Sequence, residues 1–157
     1  MAETVLAIDF GTTNSLVGAI HQGRRIEALP LDMASPDPTL MRTLLFFPHD
    51  DVCFYGAEAI SQYLEHEMEG RLFRSFKTHL PNQNYLGTMV DKRVMSLENM
   101  VGLFLLELKK RSEKILGTTV TKAKGKLSQA IIALAGYPVS ALTGWLLIFL
   151  VYKGLTL

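Results

Sequence analysis

The sequence predicts an α/β protein in which strands come first and helices follow. Short runs of β-branched and aliphatic residues, separated by turn residues, continue as far as residue 55. Two later segments, at 57–70 and 96–117, carry apolar residues at helical spacing. A length of 157 residues corresponds to about one domain with a single core. Because the strands precede the helices, the local order is that of an α+β protein.

The apolar runs near the N-terminus predict a series of strands. These runs lie at residues 4–10, 15–20, 26–31, 43–47 and 52–55. The sequence His21-Gln22-Gly23-Arg24 is typical of a hairpin turn, so the first three strands are predicted to form an antiparallel meander. Residues 34–38, ASPDP, are predicted to be a loop because their two prolines lack the N–H that a sheet requires.

Two amphipathic helices are predicted after the strands. The first, at 57–70, is expected to end at Gly70, and its apolar face consists of Ile60, Tyr63, Leu64 and Met68. The second, at 96–117, begins at the capping residue Ser96 and ends at Gly117. Its buried stripe is predicted to contain Met100, Val101, Phe104, Leu105 and Leu108.

Charge and cysteine content exclude several classes of protein. With 16 basic and 15 acidic residues the formal charge is +1, which argues against a nucleic-acid partner. Cys53 is the single cysteine, so no internal disulfide can form, and a half-buried thiol is expected. The N-terminus, MAETVLAIDF, has neither a basic start nor a long apolar region, so it is not a secretory signal, and a cytoplasmic location is expected.

Residues 8–15, IDFGTTNS, interrupt the first predicted hairpin with hydrogen-bonding groups. Asp9 lies at the end of the strand, and Gly11 lets a ligand approach the backbone closely. Successive N–H groups in such a turn form a concave site for phosphate oxygens, to which Thr12, Thr13 and Ser15 add hydroxyl donors. A carboxylate repels phosphate unless a cation lies between them, and Mg²⁺ favours one or two carboxylates with phosphate oxygens and water.

A plain polar turn is the alternative interpretation of this stretch. Asp, Gly, Thr and Asn are ordinary turn formers, so the spacing alone leaves both interpretations open. The tripeptide GTT recurs at 117–119, where it follows a helix and no acid precedes it. The information therefore lies in the strand and its acid rather than in the tripeptide. Neither of the common glycine-rich nucleotide loops, GxGxxG and GxxxxGK[ST], occurs after the first strand.

The segment IDFGTTNSLVG resembles the first phosphate-binding segment of the DnaK-like, seventy-kilodalton heat-shock chaperones, which belong to the actin-like ATPase superfamily. Further segments resemble that family in the same order, namely MRTLLFF, FYGAEAISQ, RLFRSFKTHL and LKKRSEKILGTTVTKA. The resemblance covers residues 4–123. It implies an incomplete ribonuclease-H-like, actin-like ATPase lobe with a mixed sheet, and ATP or ADP with Mg²⁺ as cofactors.

The resemblance also implies a role for each matching residue. Asp9 would bind Mg²⁺ through water and act in catalysis. Phosphate would be held by Gly11, Thr12, Thr13 and Asn14. Lys77, in RLFRSFKTHL, would be the catalytic lysine that neutralises the transferring phosphate and orients the attacking water. The local pattern alone would make Lys77 a solvated strand lysine.

The sequence departs from the family in its last part. We take residues 1–139 as the N-terminal lobe, and the family's second phosphate segment, of the Asp-Gly-Gly-Gly-Thr type, does not follow. Half a cleft cannot exclude water, so weak ATP binding and negligible hydrolysis are expected. The tail at 140–157 is apolar and has no family likeness. Three interpretations stay open: a membrane anchor at 130–152, a core segment that the missing lobe would cover, and a truncated or frame-shifted gene product.

Together these observations predict the ATP-binding lobe of a DnaK-like molecular chaperone ATPase, truncated and inactive alone. In the full-length family the partners are unfolded polypeptides and co-chaperones. The alternative is a non-catalytic module that is membrane-tethered or binds a partner, with an inner-membrane location through residues 130–152. Cell fractionation separates the two, because only an anchored chain resists extraction from membranes.

Overall fold

A computed structural model describes residues 4–49, 51–80, 82, 85, 87–118 and 132–133. This part of the chain is a mixed α/β fold with mainly antiparallel sheets and two α-helices, as predicted. Its strands are β1 (Val5–Phe10), β2 (Asn14–His21), β3 (Arg24–Ile26), β4 (Met41–Arg42), β5 (Leu44–Phe47), β6 (Phe54–Tyr55), β7 (Arg71–Arg74), β8 (Thr88–Val90), β9 (Arg93–Met95) and β10 (Ile132–Ala133). Its helices are α1 (Gly56–Glu65) and α2 (Leu97–Leu116), and a 3₁₀ turn spans Phe76–His79. The predicted boundary at 139 and the tail at 140–157 lie outside the described residues.

The first sheet contains the predicted meander and one parallel strand. Strands β1, β2 and β3 pair antiparallel, and β4 pairs with the other end of the same β2 edge as β3. Strand β10 pairs parallel with the free side of β1, with Ile8 opposite Ile132 and Asp9 opposite Ala133. The sheet is therefore mixed, and β1 is one of its inner strands.

Alternation of side chains along β1 explains why this strand forms and which side it buries. Leu6, Ile8 and Phe10 are buried and belong to the main core cluster. Their ladder partners on β2 are also buried, since Val17 lies opposite Ile8 and Ala19 opposite Leu6. Residues two apart along a strand share a face, so one side of the β1–β2 ladder packs on the core.

The third strand lies earlier than predicted. It was expected at 26–31, but β3 occupies Arg24–Ile26. The backbone of Gln22 and Gly23 has positive φ, at 50° and 76°. Positive φ at both central residues is the conformation of the two-residue hairpin turn that matches strand twist, so pairing resumes at once after Gly23.

A bulge ends the β2–β3 ladder before residue 31. Regular pairing places Ile26 opposite Ala19. The next contact departs from that register, because the Leu29 N–H donates to the Val17 carbonyl at 2.8 Å. One extra residue therefore lies on the β3 side, and such an insertion interrupts the ladder.

Strand β5 is the centre of a second, three-stranded sheet in the order β6-β5-β7. It confirms the predicted strand at 43–47, apart from its first residue. All four of its side chains are buried, so both faces of this sheet are covered. Leu45 and Phe47 pack in the main core, whereas Leu44 and Phe46 join a second cluster beneath α1.

Helix α1 ends five residues before the predicted stop. Its last residue is Glu65 rather than Gly70, and the chain then turns through Met68, whose φ is 64° and whose N–H donates to the Tyr63 carbonyl at 2.8 Å. Leu64 and Met68 are each 61% exposed. The C-terminal half of the predicted apolar face is therefore not buried, and that part of the prediction is wrong.

Helix α2 agrees with the prediction at both ends and along its face. The Ser96 hydroxyl accepts a hydrogen bond from the Asn99 N–H, and Gly117 adopts a left-handed conformation with φ of 61°. These are the usual solutions for unpaired groups at helix ends. The predicted stripe is fully buried at Met100, Phe104 and Leu108 and partly buried at Val101 and Leu105.

Candidate functional site

Three buried phenylalanines bring together the elements that carry the predicted site residues. Phe10 ends β1, Phe76 begins the 3₁₀ turn, and Phe104 lies in the middle of α2. The ring centroids of Phe10 and Phe104 lie 5.8 Å apart, and Phe76 lies 6.1 Å from each of them. Aromatic pairs at this separation contribute about 0.5–1.5 kcal/mol beyond the area they bury. This trio fixes the 3₁₀ turn against the carboxyl end of β1.

Lys77 follows Phe76 directly and lies in the interior of the protein. Its side chain is only 1% exposed, and its ammonium group donates a hydrogen bond to the Phe10 carbonyl oxygen. The Nζ atom also lies 5.3 Å from the centroid of the Phe10 ring, within the range of a cation–π contact. Ser75 has a left-handed backbone, with φ of 55°, which turns the chain from β7 into this position. The interpretation of Lys77 as a solvated strand lysine is therefore wrong.

The charges of Lys77 and Asp9 act on each other at the end of β1. Burial lowers the pKa of the Lys77 ammonium below its ordinary value of 10.5, and the nearby Asp9 carboxylate opposes this by raising it. The Oδ1 atom of Asp9 is buried and has no hydrogen-bond partner among the described residues. A buried carboxylate oxygen is expensive to leave unpaired, so this atom is suited to a ligand or a cation.

Thr43 fixes the loop that follows β1. Its hydroxyl donates to the Gly11 carbonyl at 2.9 Å, and its N–H donates to the Thr13 carbonyl, also at 2.9 Å. The same hydroxyl is 2.8 Å from the Ser15 hydroxyl. Thr43 is fully buried, so water does not compete for these hydrogen bonds. The buried hydrogen bonds of Thr43 therefore fix the conformation of the loop at residues 11–14.

These hydrogen bonds also determine where two backbone N–H groups point. The C=O and N–H of a trans peptide point in opposite directions, and this chain contains no cis peptide among the described residues. Because the Gly11 and Thr13 carbonyls face Thr43, the N–H groups of Thr12 and Asn14 point away from it. Thr13 and Asn14 are exposed and Thr12 is half-buried. The loop therefore directs the Thr12 and Asn14 N–H groups away from Thr43.

Gly11 is required by the close approach of the loop to itself. A Cβ atom at this position would overlap the carbonyl oxygen of Asn14. No other residue type fits without moving the backbone, because the obstructing atom belongs to the main chain. The close approach seen here is that of the chain's own Asn14, and the approach of a ligand to Gly11 stays a prediction.

Ser15 differs from the sequence prediction, and Thr43 is a site residue that the sequence analysis missed. Ser15 was expected to add a hydroxyl donor for phosphate, but it is 1% exposed and bonds Thr43 on the core side of the sheet, so this prediction is wrong. The alternation of β2 explains the difference, because Ser15 shares a face with Val17. Thr43 had no predicted role. A hydroxyl inside the apolar run MRTLLFF was the available signal, since buried hydroxyls are normally hydrogen-bonded.

The structure thus places the Lys77 ammonium group on the carbonyl of Phe10, the residue after Asp9, and the loop at 11–14 follows directly. Within the described ranges, no group of three His, Cys, Asp or Glu side chains is placed to hold a metal ion. Asp9 is a single carboxylate. It suits a hydrated Mg²⁺ only if a ligand supplies further oxygens, and phosphate does so.

The remaining expectations concern Cys53 and the predicted membrane span, most of which lies outside the described residues. Cys53 is half-buried as expected. In the part of the chain that is described, no helix has the length and apolar character needed to cross a membrane. Of the candidate span at 130–152, only residues 132–133 are described.

Comparison with known proteins adds no family assignment. No protein-family model matches the chain, and no curated protein matches it either.

Proposed function

We propose that this chain carries the phosphate-binding half of a magnesium-nucleotide site, in a lobe of the ribonuclease-H-like type found in DnaK-like chaperone ATPases. The observation that carries the proposal is the position of Lys77. This lysine, 67 residues from Phe10 in sequence, is buried at the end of β1 and bonds the carbonyl of the residue that follows Asp9. The resemblance to DnaK-like chaperones implies a catalytic role for both Asp9 and Lys77.

The chemistry of the site fits a nucleotide bound through its phosphates and Mg²⁺. The unpaired Oδ1 atom of Asp9 would accept a hydrogen bond from a water molecule on the metal. The N–H groups of Thr12 and Asn14 would donate to phosphate oxygens. Lys77 would supply positive charge next to them. A buried ammonium group with a low local dielectric interacts more strongly with a phosphate than a surface lysine would.

Each residue of the candidate site has a separate role in this proposal. Bound Mg²⁺ would neutralise charge on the phosphates. Asp9 would orient the hydration shell of the ion, and the loop at 11–14 would position the phosphates without conformational cost, because Thr43 already holds it. Lys77 would stabilise charge on the transferring phosphate and orient water, which is electrostatic work. A cytoplasmic location, and unfolded polypeptides and co-chaperones as partners of a complete protein, belong to the same proposal.

Ligand-dependent stability of the chain tests the binding step. A ligand that binds only the folded state adds about 1.4 kcal/mol to the free energy of unfolding at ten times its Kd. We expect Mg²⁺ with ATP or ADP to raise the midpoint of thermal unfolding, and AMP to leave it unchanged. The increase should disappear in Asp9→Asn and Lys77→Ala and persist in the controls Asp37→Asn and Lys109→Ala, which alter exposed or partly exposed groups.

Turnover tests the catalytic roles. In a version completed with a second lobe, Asp9→Asn and Lys77→Ala should each abolish ATP hydrolysis. Full activity in either variant would contradict the assignment. Stabilisation by Mg²⁺ with ATP that is equal in the wild-type chain and in Asp9→Asn would contradict the metal role in particular.

A further inference from the structure

A groove with a volume of about 840 Å³ lies between helix α1, helix α2 and the segment that follows β3. Two of its lining residues are large apolar side chains that solvent reaches, Met33 at 77% exposure and Ile115 at 43%. Lys110 and Lys114 of α2 also line it, and they lie one helical turn apart on the same face of that helix. The groove therefore offers apolar surface next to two ammonium groups.

The carboxylates of the groove have partners within it, whereas its lysines have none. Three carboxylates lie within 3.9 Å of the Arg111 guanidinium group, those of Asp32, Glu58 and Glu107. Asp32 is 1% exposed and also accepts a hydrogen bond from the Ala57 N–H at the start of α1. Lys110 and Lys114 are exposed and have no ion-pair partner among the described residues. These two lysines are therefore the groups of the groove that are left to pair with carboxylates from outside.

The residues at the end of α1 have the complementary chemistry. Residues 64–69, LEHEME, are all exposed, and we call them the acidic segment. Its apolar members, Leu64 and Met68, are each 61% exposed. Its carboxylates, those of Glu65, Glu67 and Glu69, have no ion-pair partner in the part of the chain that is described. The acidic segment thus presents two apolar side chains between unpaired carboxylates.

The acidic segment lies beside the groove of its own chain and does not enter it. Ser61 of α1 lines the groove, and Leu64 follows it by one turn of the same helix. The chain then turns tightly, because the Met68 N–H donates to the Tyr63 carbonyl at 2.8 Å. Two complementary surfaces that lie side by side on one molecule can both be covered by a second copy related by a two-fold axis.

We propose that two copies of this chain pair through these surfaces, with the acidic segment of each copy in the groove of the other. Leu64 and Met68 pack against Met33 and Ile115, and burial of this apolar area drives the association. The glutamates pair with the two groove lysines, which fixes the orientation of the copies. The inference does not rest on the proposed nucleotide function, because no predicted site residue lines the groove or belongs to the acidic segment.

Charge reversal tests the pairing by sedimentation equilibrium of the full-length chain. The groove variant, Lys110→Glu with Lys114→Glu, brings like charges together, and so does the segment variant, Glu65→Lys with Glu67→Lys. Each variant alone should raise the dissociation constant of the pair by more than about ten-fold. An equimolar mixture of the two variants should pair as tightly as wild type, because both contacts then join opposite charges again. Lys92→Glu alters an exposed residue outside both surfaces and is the control that should change nothing.

Methionine methyl resonances of the wild-type chain keep the test valid if a variant fails to fold. As the protein concentration rises, the resonances of Met33 and Met68 should shift together. Met89, which is 52% exposed on the separate β8–β9 hairpin, is the control and should not shift. The same comparison applies to substitution, since Met68→Ser should weaken pairing several-fold and Met89→Ser should leave it unchanged.

Four results would overturn the proposal. A wild-type chain that stays monomeric up to its solubility limit would exclude the pair. Equal association of wild type and both charge variants would assign self-association to another surface. Loss of pairing that the mixture does not restore would exclude direct contact between the groove and the acidic segment. Assemblies that grow beyond two copies with concentration would exclude the two-fold arrangement.

Discussion

The ammonium group of Lys77 donates a hydrogen bond to the carbonyl oxygen of Phe10, a residue 67 positions earlier in the chain. This bond joins the 3₁₀ turn to the end of β1, immediately before the loop at 11–14. The cation is thus fixed to the backbone of the strand that carries Asp9. A lysine held in this way has lost its rotamer freedom before any ligand arrives, which lowers the entropic cost of an interaction with phosphate.

The close contact between Gly11 and Asn14 predicts that two glycine-to-alanine substitutions change the free energy of unfolding in opposite directions. Gly11→Ala should destabilise the protein by about 1–3 kcal/mol, because its Cβ would meet a backbone atom that cannot move aside. Gly102→Ala is the matched control. No atom lies within 4 Å of its Cβ position on the exposed side of α2, so it should stabilise by about 0.5–1 kcal/mol. Urea unfolding measures both, and a fully stable Gly11→Ala protein would contradict the loop geometry.

Removal of the Thr43 hydroxyl should loosen the loop without changing the shape of the core. Thr43→Val leaves the Gly11 carbonyl and the Ser15 hydroxyl without this partner, at a cost of about 1–3 kcal/mol. Thr39→Val removes a hydroxyl that bonds Asp37 in an exposed loop, and it should change stability by less than about 0.5 kcal/mol. Chemical denaturation distinguishes the two. Equal effects would mean that the buried hydrogen bonds of Thr43 do not hold the loop.

Phe104 should contribute more to the free energy of unfolding than an exposed residue of the same helix, because its ring packs against two other elements. Phe104→Ala removes a ring that contacts both Phe10 and Phe76, so we expect a loss of about 3–5 kcal/mol. Leu106→Ala, two residues later on the same helix, alters a side chain that is 46% exposed and should cost far less. Since the trio positions Lys77, a milder variant, Phe104→Leu, should also increase the rate of Lys77 methylation, which mass spectrometry detects.

The pH dependence of stability should carry a contribution from Cys53. Burial raises the pKa of its thiol from 9.0 to about 12. The folded protein therefore keeps the proton while the unfolded chain loses it, so this contribution to stability is complete below pH 9.0 and falls as pH rises towards 12. The slope is about 1.4 kcal/mol per pH unit. The difference in unfolding free energy between wild type and Cys53→Ala isolates it, and a difference that stays constant above pH 9.0 would contradict the burial of this thiol.

Parts of this fold that depend on local pattern were predictable, and parts that depend on backbone detail were not. The cap at Ser96 and the stop at Gly117 defined α2, because both residues act within one turn of the helix end. The early end of α1 is followed by two left-handed residues that are not glycine, Glu67 and Met68, and no sequence rule anticipates them. The bulge after β3 is similar, since it follows from a register shift of one residue.

The candidate site shows the same contrast between residues that local pattern predicts and residues that depend on long-range packing. Residues from Asp9 to Asn14 are contiguous, so the motif alone brings them together. The burial of Lys77 depends on the left-handed backbone of Ser75 and on ring packing between distant elements, so only the family resemblance pointed to it. The inward direction of Ser15 follows from the alternation of side chains in the predicted strand at 15–20, where Ser15 shares a face with Val17.

The pairing of β10 with β1 has a consequence for synthesis on the ribosome. A newly made β1–β2 hairpin presents one bare edge until residues 132–133 emerge, long after it could first form. An uncovered edge on a nascent chain is a template for pairing with a neighbouring polypeptide. Any shortening of the chain before residue 132 would make that exposure permanent, and we expect such products to precipitate in the cell.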